Sequence, residues 1–202
     1  MDRDMEALLF TIDRLDFEVG QHPFMRATEM WDSGALEEAR REMGYFALAM
    51  GHALDVLERG GLEPDLLGLA LQVRRAAGVF LPEDRPGALA RAFRHGSADL
   101  RQAAVMVIQQ VAAATSPVEA WAVLTALDIL LGRMREAFRI EIEAGGAPAA
   151  VADPRGLQPD RLTAEAREHI EEAVRYLFEA GLRLQDHLLR TAKGQGPIAQ
   201  GA

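Results

Sequence analysis

Four acidic residues near the amino terminus have the types and the spacing that a divalent metal site requires. Asp13 and Asp16 form a D-x-x-D pair on the first helical segment, and Glu29 and Asp32 form an E-x-x-D pair after the following turn. Residues three apart lie on the same side of a helix, so two antiparallel segments could bring the four carboxylates together. Carboxylate oxygens are the ligands that Mg²⁺ and Mn²⁺ prefer. The pattern therefore predicts a candidate metal site.

This acidic pattern resembles the metal site of MazG-type all-α nucleotide pyrophosphohydrolases, in which E-x-x-E is followed by E-x-x-D on a neighbouring helix. The resemblance covers residues 13 to 32 and implies a magnesium- or manganese-dependent hydrolase. The chain departs from it because its first pair consists of aspartates and because no lysine follows to bind phosphate. The alternative, which we favour, is that the acids are solvated at helix ends and that Asp16 pairs with an arginine.

Two further aspartates occupy the similar pentapeptides ALDVL, residues 53–57, and ALDIL, residues 126–130. The residues around them do not align, so we interpret the similarity as compositional. At about 100° per residue, Asp55 lies opposite the apolar face of its helix, with Arg59 as a partner one turn away. Asp128 lies in the least charged part of the chain, and we expect it to be partly buried.

A buried carboxylate such as Asp128 must be paired, hydrogen-bonded or protonated. Its candidate partners are Thr125 and one of three arginines, Arg74, Arg101 or Arg135. We favour a structural role for this group. Carboxylates with perturbed titration also occur at functional sites, so Asp128 remains a candidate site residue.

The last helical segment carries a polar edge. His169, Tyr176 and Arg183 recur every seven residues, and His187 follows one turn later. Such an edge could line a groove for an anionic ligand or for a partner. The alternative is that these are boundary positions, with the apolar part of each side chain facing inward and the polar tip in water.

Helices must position all of these residues, because apolar side chains recur at intervals of three and four. The pattern predicts an all-α, single-domain bundle of six to eight helices over residues 1–192. Residues 144–161 are rich in glycine, proline and alanine and are predicted to form a flexible linker, and residues 193–202 are predicted to be a disordered tail.

Serine residues mark the expected starts of three helices. Ser33 and Ser97 are predicted helix caps. Ser116 is predicted to form a capping box with Glu119, in which the carboxylate reaches back to the Ser116 amide. The apolar helices on either side of Ser116 are expected to form a central hairpin.

Composition excludes several kinds of chemistry. The chain has no cysteine, which rules out disulfides, thiolate nucleophiles and cysteine-ligated zinc. No glycine-rich phosphate loop or nucleophile elbow occurs in the sequence. The formal net charge of −9 does not favour nucleic acid as a partner. We expect neither a membrane span nor a targeting segment, and hence a cytoplasmic protein.

These observations favour a non-enzymatic helical bundle that acts by protein–protein interaction or self-association, as an adaptor, scaffold or chaperone-like protein. We expect a homo-oligomer without a cofactor. One alternative is a nucleotide or phosphate-ester hydrolase that uses Mg²⁺ or Mn²⁺ at the acidic residues. Another is a small-ligand sensor with a pocket near the last helix.

Overall fold

The computed structural model describes residues 3–81, 97–140, 157 and 162–194 of the chain. These ranges contain seven α-helices and no β-strand, which confirms the all-α multi-helix fold. The predicted linker, apart from residue 157, and the predicted tail from residue 195 onward lie outside the described residues. The helices are α1 (Arg3–Gly20), α2 (Phe24–Ala27), α3 (Ser33–Arg59), α4 (Leu67–Gly78), α5 (Ala98–Ala113), α6 (Pro117–Phe138) and α7 (Ala164–Gly194).

Side-chain caps begin several of these helices. Ser97 caps α5, as predicted, because its hydroxyl oxygen accepts a hydrogen bond from the Leu100 amide at 3.0 Å. The assignment of Ser33 as the cap of α3 is wrong by one residue. Asp32 has the extended backbone that a cap requires, and its carboxylate accepts from the Ala35 amide at 2.8 Å.

The predicted capping box at the start of α6 forms only in part. Ser116 accepts a hydrogen bond from the Glu119 amide at 3.2 Å, as expected. The Glu119 carboxylate, however, accepts from the amide of Thr115 at 2.8 Å rather than from that of Ser116. Glu119 is almost completely buried, and its carboxylate has a hydrogen-bond partner in the residue just before the cap.

Helix α6 forms the centre of the bundle. Most of its residues from Val118 to Phe138 are buried, and it packs mainly on α4 and α7. Helix α5 packs mainly between α3 and α7, and α1 lies against α7 and α6. The two apolar helices α5 and α6 are joined by a short connection, yet their most extensive contacts are with other helices. No helix in the described ranges is both long and apolar enough to cross a membrane.

Two packing features fix the ends of these helices. Phe138, at the end of α6, stacks edge-to-face with Phe24 and with Phe80, at centroid distances of 5.8 Å in both cases. On α7, a side chain added at Gly181 would overlap the side chain of Leu130 on α6. A larger residue at position 181 would require the Leu130 side chain to shift.

Candidate functional site

Asp16, the acidic residue of α1 that sequence reasoning placed in a possible metal site, is bound to an arginine. Its two carboxylate oxygens accept hydrogen bonds from Nε and Nη2 of Arg133 at 2.7 and 2.9 Å. Arg133 also donates to Glu136 at 3.0 Å. The bond with Asp16 is the main reason why the pKa of Arg133 lies above its ordinary value. The structure thus contains the arginine partner expected for Asp16.

The other three acids of that pattern have separate environments. Asp13 is exposed on α1, Glu29 lies 3.3 Å from Arg139, and Asp32 caps α3. Within the described ranges, no three histidine, aspartate or glutamate residues are grouped so that they could hold a metal ion. The binding of Mg²⁺ or Mn²⁺ remains an alternative that the geometry of these ranges does not support.

Asp128 is partly buried, as the sequence indicated, but its partner is different. Its carboxylate accepts a hydrogen bond from the side-chain amide of Gln72 on α4, at 2.7 Å. Burial raises the pKa of Asp128 above its ordinary value, and the Gln72 hydrogen bond and the positive charge of Arg135 oppose this increase. Of the arginines predicted as partners, Arg135 acts on the Asp128 carboxylate only through its positive charge. Arg74 binds Asp55 instead.

Several polar atoms of Gln72 and of α6 are buried without a hydrogen-bond partner in the described structure. They are Gln72 Oε1, Trp121 Nε1, Thr125 Oγ1 and Arg135 Nε. Residues 121, 125, 128, 132 and 135 are spaced by three or four, so they form one stripe along α6. We call this stripe, together with Gln72, the polar seam. Buried polar groups normally have hydrogen-bond partners. The polar seam holds four of the six buried side-chain atoms that lack one in the described core.

Asp55 provides the contrast to Asp128. Its side chain is 43% exposed and pairs with Arg74 of α4 at 2.9 Å. Arg74 also contacts Glu58 at 3.0 Å. The prediction of a water-facing Asp55 agrees with this half-exposed position, but the prediction of Arg59 as its partner is wrong. Arg74, on the neighbouring helix α4, is the arginine within hydrogen-bonding distance of Asp55.

The polar edge of α7 is divided among separate contacts. Nε2 of His169 lies 3.3 Å from a carboxylate oxygen of the buried Glu119. Tyr176 is a partly exposed aromatic residue, and Arg183 binds Glu179 on its own helix at 2.6 Å. These contacts fit the interpretation of the edge as boundary positions.

Sequence reasoning missed a buried network that joins three helices. His187 of α7 is only 8% exposed, and its Nε2 lies 3.2 Å from the carboxylate of Glu42 on α3. The hydroxyl of Ser97, at the start of α5, lies 3.3 Å from Nδ1 and 3.5 Å from Nε2. These residues are far apart in the sequence, so no local pattern could have indicated the network.

The residue types in this network are those of a serine hydrolase, but the geometry differs. A hydroxyl aligned with one ring nitrogen would lie much farther from the other, whereas Ser97 is nearly equidistant from both. The Ser97 oxygen already accepts the Leu100 amide as a helix cap. We therefore interpret the network as a connection that stabilises the packing of α3, α5 and α7.

Two phenylalanines are exposed on the outer face of α1. Phe10 and Phe17 are 70% and 64% exposed, although α1 buries its opposite face on the core. They are seven residues apart and therefore point in nearly the same direction. Asp13 and Arg14, both exposed, lie between them on either side. We call the surface formed by these four residues the α1 face.

A cavity of about 680 Å³ lies between α3, the end of α4 and the end of α6. Its lining combines arginine side chains with apolar groups. The lining residues are Glu37, Arg40, Arg41, Gly44, Val79, Phe80, Leu81, Arg139 and Ile140.

The described structure thus defines an all-α helical bundle with an exposed aromatic helix face and an arginine-lined cavity. Comparison of the chain with protein-family models, with curated proteins and with solved structures found no match.

Proposed function

We propose that the protein acts by self-association rather than by catalysis, and that the α1 face is its contact surface. The observation that carries the proposal is the exposure of Phe10 and Phe17 side by side on a helix that is otherwise well packed. Two exposed aromatic rings on one helix face favour association, because each ring would lose its contact with water on binding.

The order of residues along α1 favours a second copy of the chain as the partner. Two α1 helices can pair antiparallel around a two-fold axis that passes between residues 13 and 14. Phe10 then lies opposite Phe17 of the second copy. A two-fold contact repeats each pair, so both phenylalanine pairs form together.

The flanking residues are compatible with this arrangement. Glu6 would lie opposite the uncharged Gln21 of the second copy, so the two Glu6 side chains stay apart. Arg14 is 3.7 Å from Glu18 on its own helix, and both side chains are about half exposed. This exposed pair lies at the edge of the contact and contributes little to stability.

The size of the contact predicts a weak dimer. Helix α1 has 18 residues and is therefore about 27 Å long. A single pair of such helices buries less surface than the roughly 1,200–2,000 Å² of a standard interface. We expect a dissociation constant on the order of micromolar, dominated by the four phenylalanine rings.

Sedimentation equilibrium tests the proposal. The parent chain should show a reversible monomer–dimer equilibrium, and the double variant Phe10→Ser/Phe17→Ser should be monomeric at the same concentrations. The matched control is Leu71→Ser, which replaces an exposed apolar residue on α4 and should leave the equilibrium unchanged. A parent chain that is monomeric at high concentration, or a double variant that dimerises as well as the parent, would refute the proposal.

A further inference from the structure

We infer that the cavity between α3, α4 and α6 is a binding site for a small amphipathic anion, with a carboxylate or phosphate head and an aliphatic body. Its lining includes Arg40, Arg41 and Arg139 together with the apolar residues Val79, Phe80 and Ile140. The inference concerns a surface that shares no residue with the α1 face and does not depend on self-association.

The charge of the lining favours an anion. The chain has a formal net charge of −9, yet the described lining of this cavity contains three arginines and one acidic residue, Glu37. Guanidinium groups bind carboxylate and phosphate through two parallel hydrogen bonds. A concentration of arginine in a concave site on an acidic protein is the arrangement that attracts a negatively charged head group.

The present contacts of Arg40 and Arg139 leave both available to a ligand, whereas Arg41 pairs with Glu38 on its own helix at 2.8 Å. Arg40 donates only a long hydrogen bond, 3.5 Å, to the carbonyl oxygen of Phe138, and no carboxylate in the described ranges pairs with it. Arg139 lies 3.3 Å from Glu29, but both side chains are more than 60% exposed. Exposed pairs of this kind are weak, so a ligand head group can replace them.

The backbone at Arg139 supports the same assignment. Arg139 ends α6 in the left-handed conformation, with φ of 53°, and it is the only residue other than glycine with a positive φ in the described ranges. Glycine is the usual residue at such a helix end because it adopts this conformation without strain. The chain instead has an arginine that also lines the cavity, so an uncommon backbone conformation coincides with the candidate site.

The remaining wall and the volume define the rest of the ligand. Val79 is partly exposed at the cavity, and Phe80 belongs to the packed core, where it contacts Phe138. A volume of about 680 Å³ lies within the range of small-molecule sites, roughly 300–1,000 Å³. Another cavity, of about 360 Å³, has Glu63 as the only charged residue in its described lining and contains no arginine there.

Isothermal titration calorimetry with decanoate tests the site. We expect saturable binding of one decanoate per chain, equal in the parent and in Phe10→Ser/Phe17→Ser. Arg40→Ala and Arg139→Gly should each weaken binding by at least about tenfold, the effect of losing one hydrogen bond to a charged group. The glycine keeps the left-handed backbone. The control variant Arg175→Ala, at an exposed pair on α7, should bind like the parent.

Further probes separate the two parts of the ligand. Decyl phosphate should also bind, and its affinity relative to decanoate identifies the preferred head group. Decylamine should not bind, because its charge is positive, and inorganic phosphate should bind much more weakly than decyl phosphate. The inference is overturned if decanoate shows no saturable binding, if decylamine binds equally well, if inorganic phosphate equals decyl phosphate, or if neither arginine variant weakens binding.

Discussion

Asp128 on α6 accepts a hydrogen bond of 2.7 Å from the side-chain amide of Gln72 on α4. This pairing of a partly buried carboxylate with a neutral amide separates two roles of the aspartate. An oxygen of Asp128 accepts the hydrogen bond of the Gln72 side-chain nitrogen. Burial disfavours the negative charge of the same carboxylate. An ion pair in hydrogen-bonding contact, as expected from sequence, would have made the charge itself stabilising.

We therefore predict that Asp128→Asn is neutral or stabilising at pH 7, because asparagine keeps an acceptor for Gln72 and removes the charge. Asp128→Ala should destabilise by about 1–3 kcal/mol, since it leaves the Gln72 amide without a partner. Denaturant unfolding measures both changes in the free energy of unfolding, provided that its dependence on denaturant concentration has the same slope in each variant. Asp55→Asn is the control, with a loss below about 1 kcal/mol. If Asp128→Asn lost as much stability as Asp128→Ala, the negative charge of Asp128 would be required for stability, contrary to the prediction.

The raised pKa of Asp128 also predicts how stability depends on pH. The native state binds this proton more tightly than the unfolded state, whose carboxyl titrates near 3.8. The contribution of Asp128 to stability is therefore largest when the carboxyl is protonated and is lost as pH rises from 3.8 through the higher native pKa. The stability of the parent relative to Asp128→Asn should fall over this window. A relative stability that rises with pH would contradict the assignment.

Divalent metal is predicted to leave thermal stability unchanged. Asp16 is held by Arg133 and Asp32 caps α3, so a metal ion would have to displace both contacts to use these acids. The measurement is the melting temperature with and without 1 mM Mg²⁺ or Mn²⁺. A ligand at a hundredfold its dissociation constant stabilises by about 2.7 kcal/mol, so a tight site would be visible. An increase that disappears in Asp16→Asn would restore the metal-site hypothesis.

The close approach of α6 and α7 gives a stability prediction with a built-in control. Gly181→Ala should destabilise by about 1–3 kcal/mol, because the new methyl group overlaps Leu130. Gly51→Ala on α3 should instead be neutral or stabilising, since nothing lies within 4 Å of the added atom. Chemical denaturation compares the two. Leu130→Ala should reduce the penalty of Gly181→Ala, and equal effects of the two glycine variants would contradict the proposed packing.

Periodicity predicted the helices because each amphipathic pattern is local. It also placed Asp128 in a buried region, since the neighbouring residues of α6 are apolar. Periodicity does not indicate which side chain of another helix crosses the interface, and Gln72 was therefore missed. The same limit applies to His187, whose partners Glu42 and Ser97 lie on two other helices.

Short connections were a less reliable guide to packing than periodicity was to helices. The brief link around Ser116 predicted that α5 and α6 pack as a hairpin, whereas each has its main contacts elsewhere. A capping residue specifies where a helix begins, but the direction of the helix depends on the surfaces that it buries. The α1 face could have been noticed from Phe10 and Phe17, because both lie off the apolar stripe of their helix.

Disulfide cross-linking tests the antiparallel contact of α1 most directly, because the chain has no cysteine of its own. Glu6 and Gln21, both exposed, should face each other across the two-fold axis. Each would lie about 22 Å along the axis from its own counterpart, too far for a disulfide. An equimolar mixture of Glu6→Cys and Gln21→Cys, mildly oxidised, should give mixed dimers and few homodimers. The mixed dimers should disappear when both variants also carry Phe10→Ser/Phe17→Ser. Homodimers as abundant as mixed dimers, or no dimers at all, would contradict self-association through the α1 face.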